Sequence, residues 1–274
     1  MPQFKEWLSP HHYERRYSRF LENSITAVRK EFLARLQALP WLQESADLAL
    51  EQTIDWWRTQ KQEKRRNYYG YFALINAFND KQFRAVVKSG TGLTLPDYSK
   101  SGVLASPYPE LLEYFGETAD VFREEVYLPE VQNTWVNTQE IYVDKSVNNL
   151  ASDLALIIKR GISVGTAVKA VSEILTEKTE KSASQVGRTA KDQVSQVNTE
   201  LERRRLLSLN LNEYEWITMR DEKVRGNPTG LYPRARPSHF AREGKTFNWN
   251  DPPEGGAPGE ADGCRCKARP KFRR

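Results

Sequence analysis

A chain of 274 residues can bury a sizeable core, as one large domain or two modest ones. Its 39% hydrophobic and 28% charged content is the balance of a soluble, helix-rich protein, and no apolar run approaches the roughly 18 residues of a membrane span. The formal net charge of +5 is unevenly placed: residues 1–213 balance 28 basic against 28 acidic side chains, whereas residues 214–274 hold 13 basic and 8 acidic ones. Met1 to Trp7 lack the apolar core of a signal peptide, and two cysteines cannot build a disulfide framework, so synthesis in a reducing cytoplasm is expected.

In chain order, apolar side chains at Tyr13, Tyr17, Phe20, Ile25, Val28, Phe32, Leu36 and Leu39 mark one face of a helix that Pro40 should end. A second helix is expected from Glu44 to about Lys64 with Leu48, Ile54 and Trp57 inward, and the aromatic stretch Tyr68 to Phe83 leans to helix as well. Residues 89–109, with three prolines and three glycines, read as a loop. Helical spacing returns at Leu111, Phe115, Ala119, Phe122 and Val126, and Pro129 interrupts it. A further helix is predicted over Asp144 to Lys159 with Val147, Leu150, Leu154 and Ile157 on its inner face. Gly161 suits its C-cap, and Ser163 the N-cap of a helix carrying Val164, Val168, Val171 and Leu175. The longest helix should run from about Lys181 to Leu209 along Ala183, Val186, Ala190, Val194, Val197 and Leu201.

After Asn210 the texture changes. Tyr214 to Met219 favours a strand, Phe247 and Trp249 share one face of another, and Cys264 to Arg269 can make a third. The fold class is therefore mainly α with a small C-terminal α+β unit, in which a long helix covers a short three-stranded sheet. The expected organisation is a helical N-terminal region over 1–160, long helices over 161–212, and a small basic α+β unit over 213–274.

Chemistry concentrates in that last segment. In extended backbone, Cys264 and Cys266 project from one face about 6.7 Å apart at Cα, too far for an easy disulfide and acceptable for two thiolates gripping one metal. His239 is the candidate third ligand, with Asp221, Asp251 or Asp262 as a carboxylate, a set that suits zinc. The spacing is not that of a standard zinc motif, and the alternative is two small side chains packed under a strand with His239 bonded in a turn. No second histidine is near in sequence to activate a thiol, so no catalytic residue is assigned. Phosphate-loop, dinucleotide and His-Glu-x-x-His motifs are absent. Six of the last ten residues, Arg265, Lys267, Arg269, Lys271, Arg273 and Arg274, are cationic, and with Arg234 and Arg236 they form a candidate DNA-contacting set. A frayed, solvated terminus is the plain alternative.

The ordered set Trp216, Thr218, Arg220-Asp221-Glu222, Val224-Arg225, Ser238-His239, Gly244-Lys245, Phe247, Trp249, Pro252-Pro253, Gly256, Pro258-Gly259-Glu260 and Cys264-Arg265-Cys266 closely resembles the Mu F-like family of phage head morphogenesis, or minor head, proteins. The resemblance covers roughly residues 150–270. It departs from the family twice: residues 226–237 are inserted and read as an extended, basic contact arm, and Ala257 stands where the family often has a histidine, which removes one possible metal ligand.

The resemblance implies a structural virion component made in the host cytoplasm and placed in the head interior or at the portal vertex. It would act in head assembly and genome packaging or delivery, without catalysis and without an appended toxin or nuclease domain. Its expected partners are the portal or major capsid protein, reached by the N-terminal helices through aromatics such as Trp56-Trp57 and Tyr68-Tyr69, and packaged duplex DNA, contacted without sequence reading; no membrane is involved. Core packing is the other reading of those aromatics. No cofactor is required, zinc at His239, Cys264 and Cys266 being the candidate exception. The competing function is a metal-dependent hydrolase with those three ligands and Asp221 or Glu222 as base. A sequence-specific regulator lacks support, because no basic helix–turn–helix is evident.

Overall fold

The computed structural model describes residues 7–95, 109–116, 119, 125–166 and 168–272. Five α-helices come first: α1 (His11–Gln37), α2 (Gln43–Thr91), α3 (Pro109–Phe115), α4 (Leu128–Ser163) and α5 (Val168–Ser208). Three short strands follow, β1 (Glu213–Ile217), β2 (Thr246–Asn248) and β3 (Lys267–Pro270), with a 3-10 turn at Phe240–Arg242. The chain is thus mainly α with a small C-terminal sheet, as its patterning predicts. By packing it divides into two compact units, each discontinuous in sequence: Met1–His11, Ala73–Val131 and Asp192–Arg274 in one, His12–Phe72 and Gln132–Lys191 in the other.

The second of these units is all helical. On α1, Tyr17, Leu21, Ile25, Val28, Phe32 and Leu36 are buried at steps of three and four, the spacing that brings side chains onto one stripe. Also buried in this unit are Trp57 and Phe72 of α2, and Trp135, Val143, Val147, Leu150 and Leu154 of α4. Polar groups inside are paired: Tyr17 Oη donates to Gln139 Oε1 at 2.7 Å and Trp57 Nε1 to Asp144 Oδ1 at 2.8 Å. Trp57 and Tyr68, considered above as docking aromatics, are core residues.

Several sequence expectations change here. The longest helix is α2, 49 residues without a break, which joins the two segments that sequence patterning separates. Its inner face is Ala46, Ala49, Thr53 and Trp57, while Leu48 is 41% exposed and Ile54 only half-buried. Hydropathy alone does not mark such small side chains as inward. Pro129 opens α4, at a first-turn position that needs no N–H, and the helix begins sixteen residues before Asp144. On its inner side Ile158, not Ile157, is fully buried.

Gly161 lies inside α4, where a Cβ would meet Val171 Cγ2 at 2.6 Å, and the left-handed turn falls instead at Gly165 (φ 63°). Ser163 ends α4 rather than capping α5, and Val164 is 74% exposed in the turn. The segments expected around Leu175 and Ala190 are one helix, α5. Helix α3 stops at Phe115 because Gly116 takes φ 92°; Val126 is exposed beyond it, and Phe122 lies outside the described residues.

The other unit holds the sheet, in the order β2-β1-β3 and antiparallel throughout. Trp216 pairs with Ala268 and Tyr214 with both Phe247 and Pro270, which puts this set on one face; Glu215, Thr246, Arg269, Ile217 and Lys267 occupy the other. The first face joins a core cluster with Leu206 and Leu209 of α5, Phe83 and Val87 of α2, Leu111 and Phe115 of α3, Trp249, Cys264 and Cys266. Three strands so short need that helical cover.

Candidate functional site

Two tethered loops build the site. After β1 the chain turns through residues 218–237, and Phe240 N–H donates to Arg225 O at 3.0 Å, which docks the short turn beginning at His239 against that loop. The second loop, 256–263, is bound to α5. Thr199 Oγ1 donates to Pro258 O at 3.2 Å, Gln196 Nε2 to Glu260 O at 2.9 Å, and Gly263 N–H to Asp192 Oδ1 at 2.8 Å. Gly259 has φ 89°, and a Cβ there would lie 2.3 Å from Thr199 Oγ1, so only glycine lets this loop lie against the helix.

These tethers bring His239, Cys264 and Cys266 together. The His239 Nδ1 is 3.5 Å from Cys264 Sγ and 3.7 Å from Cys266 Sγ, and the three donor atoms all lie within 4.8 Å of one another. His239 is only 2% exposed, its ring standing edge-on to Trp216 at 5.2 Å between centroids. The Arg242 guanidinium covers the Trp216 ring at 4.8 Å and donates to Glu254 O. Cys264 and Cys266 precede β3 rather than lying in it; the turn set by Cys264 N–H to Ala261 O at 2.8 Å still leaves both sulfurs beside the imidazole.

The thiols share a proton unequally. The neighbouring Cys266 thiol, chiefly, holds the Cys264 pKa well below the ordinary thiol value; burial opposes this, while His239 and the Gly259 N–H at 3.3 Å assist. The same contact, reinforced by burial, pushes Cys266 far up. A divalent cation would replace that proton and accept both thiolates. Geometry agrees: zinc at about 2.3 Å from sulfur and about 2.0–2.1 Å from nitrogen, tetrahedrally disposed, sets nitrogen–sulfur separations of about 3.6 Å. The residues present therefore fit zinc.

The carboxylates considered as a fourth ligand are elsewhere. Asp221 pairs with Arg265 at 2.7 Å, Asp251 is exposed at a bridge to Asn248, and Asp262 accepts from Gln196 at 3.3 Å. A cavity of about 20 Å³, room for about one water, opens beside the cluster, lined by Met219, Lys223, Val224, Arg225, Gly263 and Arg265 besides the three.

The basic set is dispersed over several elements. Lys267 and Arg269 share the outer sheet face, Arg269 lies 3.4 Å from Glu215, and Lys271 Nζ donates to Thr246 Oγ1 at 2.9 Å. Arg234 and Arg236 are exposed in the inserted loop, and Arg273 and Arg274 lie outside the described residues. That loop is not an extended arm. Leu231 N–H returns to Glu222 O at 2.6 Å, Gly226 N–H donates to Tyr232 O at 2.9 Å, and Asn227 Nδ2 to Asp221 O at 3.0 Å, so it closes on its own base. Sequence reasoning misses Gly259, Trp216, Lys223 and Met219 as site neighbours; only the Pro258-Gly259 step carries a local signal, that of a tight turn.

Fold and site together define a small α+β domain bound to a long helix through Asp192, Gln196 and Thr199, with a buried imidazole–thiol cluster between two of its loops. Residues 152–269 match the family described as Phage Mu protein F like protein, so this stretch is similar to the Mu F-like phage head proteins. No curated protein and no solved structure matches it. Among the described residues no helix is long and apolar enough to cross a membrane.

Proposed function

We propose that this protein is a minor head component acting in head assembly and in packaging or delivery of the genome, with its C-terminal unit turned toward DNA near the portal. The supporting observation is that the Mu F-like stretch ends within the net-basic part of the chain: the whole net +5 resides in residues 214–274. Such a surface neutralises phosphates without reading bases. Zinc at His239, Cys264 and Cys266 would serve this role by cross-linking two loops that otherwise hang on hydrogen bonds. A zinc so placed supplies a redox-inert structural bond.

Cross-linking mass spectrometry on purified particles tests the placement. Cross-links from this chain to the portal are expected, and particles that lack the chain would end the reading. For DNA contact, replacing Arg265, Lys267, Arg269, Lys271, Arg273 and Arg274 by Gln should weaken duplex binding and flatten its salt dependence. The log–log slope should fall by up to about 0.9 for each phosphate no longer neutralised. An unchanged slope removes these side chains from the interface.

A further inference from the structure

The cluster has a closed side and an open one. On the closed side the Gly259 N–H donates to Cys264 Sγ at 3.3 Å, and the His239 ring meets Trp216. On the open side lies the cavity, and there the protein offers no further strong ligand: among the described residues the group of His, Cys, Asp and Glu donors stops at three. The cavity rim is cationic, with Lys223, Arg225 and Arg265 on it and no carboxylate among its lining residues.

The charges select what can enter. Two thiolates cancel a divalent ion, so the filled cluster adds no net charge to the rim. Arg265 is paired with Asp221 at 2.7 Å, and Arg225 donates to Asp262 O at 2.5 Å. The exposed Lys223 ammonium makes no ion pair or hydrogen bond among the described residues; Asp221, which accepts from its backbone N–H at 3.0 Å and feels its charge, pairs with Arg265. A lysine with no ion-pair partner thus lines a cavity of about 20 Å³, space for a ligand of about water size.

We infer that a divalent ion held by His239, Cys264 and Cys266 keeps one coordination position open to this cavity and accepts there a small, exchangeable anion attracted by Lys223. The inference rests on the metal reading above, and its test separates the two. Cobalt(II) is loaded into the full chain, its stoichiometry is measured, and azide is titrated while the visible absorption is followed.

One equivalent of cobalt with a thiolate charge-transfer band is expected, followed by a saturable azide-induced shift of the ligand-field bands. In Lys223→Gln the cobalt stoichiometry should hold and half-saturation should need several-fold more azide. Cobalt-loaded protein whose bands ignore azide overturns the open position and leaves the metal reading standing. The open position is equally overturned if Met219→Leu alone shifts the bands of azide-free protein, since the thioether would then fill it. Failure of the unaltered chain to take up cobalt or zinc overturns both.

Discussion

Glu202 sits in α5, 5% exposed, with Oε1 buried and without a hydrogen-bond partner among the described residues. Burial raises its pKa well above the ordinary 4.5, with Lys267 opposing. The native state therefore keeps a proton that the unfolded chain releases near 4.5. The stability gained from the neutral form is complete below that pH and is lost as pH rises through the native value. Glu202→Gln, which has no proton to hold, should accordingly gain stability over the unaltered chain by about 1.4 kcal/mol for each pH unit above the ordinary carboxyl pKa, until the native pKa is reached, with no gain near pH 4. Urea unfolding at pH 7 and near pH 4 checks this, and equal gains at both would contradict it.

Three residues along the helix, Arg205 shows the opposite balance. Its buried guanidinium binds Glu125 at 2.6 and 2.9 Å, Asn79 Oδ1 at 2.5 Å and Asn76 Oδ1 at 2.7 Å. Burial pushes Glu125 up, yet Arg205 holds it below 4.5, so this pair stabilises above that pH and fails as acid protonates the carboxylate. Arg205→Met should cost about 3–5 kcal/mol, because it strands a half-buried charge. Adding Glu125→Gln should restore part of the loss in calorimetry, and no recovery would assign the cost to packing instead.

At the scale of elements, the loop 256–263 and helix α5 act as one piece. Gly259→Ala places a methyl group on Thr199 in a backbone conformation that L-residues resist, at a cost of about 1–3 kcal/mol. Because the same glycine donates to Cys264, this change should also lower metal affinity at the cluster, measurable by competition with a chromogenic chelator. A stability loss with unchanged metal affinity would show that loop and cluster are uncoupled. Helix boundaries illustrate what sequence leaves open at this scale. The inner face of α1 is legible from its large apolar side chains, whereas α2 buries Ala46, Ala49 and Thr53, whose sizes suit close helix approach but whose hydropathy is unremarkable. Pro129 reads as an interruption in the sequence although prolines also open helices; which role it takes depends on the backbone before it.

For the whole molecule, the metal reading predicts linkage between zinc and folding. Zinc at about 1,000 times its Kd should add about 4 kcal/mol to stability, and a strong chelator should remove that increment. Cys264→Ser should abolish the difference between zinc and chelator, and thermal scans that are superimposable in zinc and chelator for the unaltered chain would refute the link.

By itself the sequence determined the helical class, the late sheet, the placement of net charge and a likeness to one family over residues 152–269, because periodicity, composition and ordered motifs are local properties of a chain. It also named His239, Cys264 and Cys266 while leaving metal binding and plain packing both open. Only tertiary structure could decide that these donors meet at 3.5 and 3.7 Å, that Asp221, Asp251 and Asp262 stay away, and that the inserted loop folds back on itself. Those outcomes depend on separations of more than twenty residues being closed by α5 and its hydrogen bonds, and no pattern of neighbouring residues encodes such a distance.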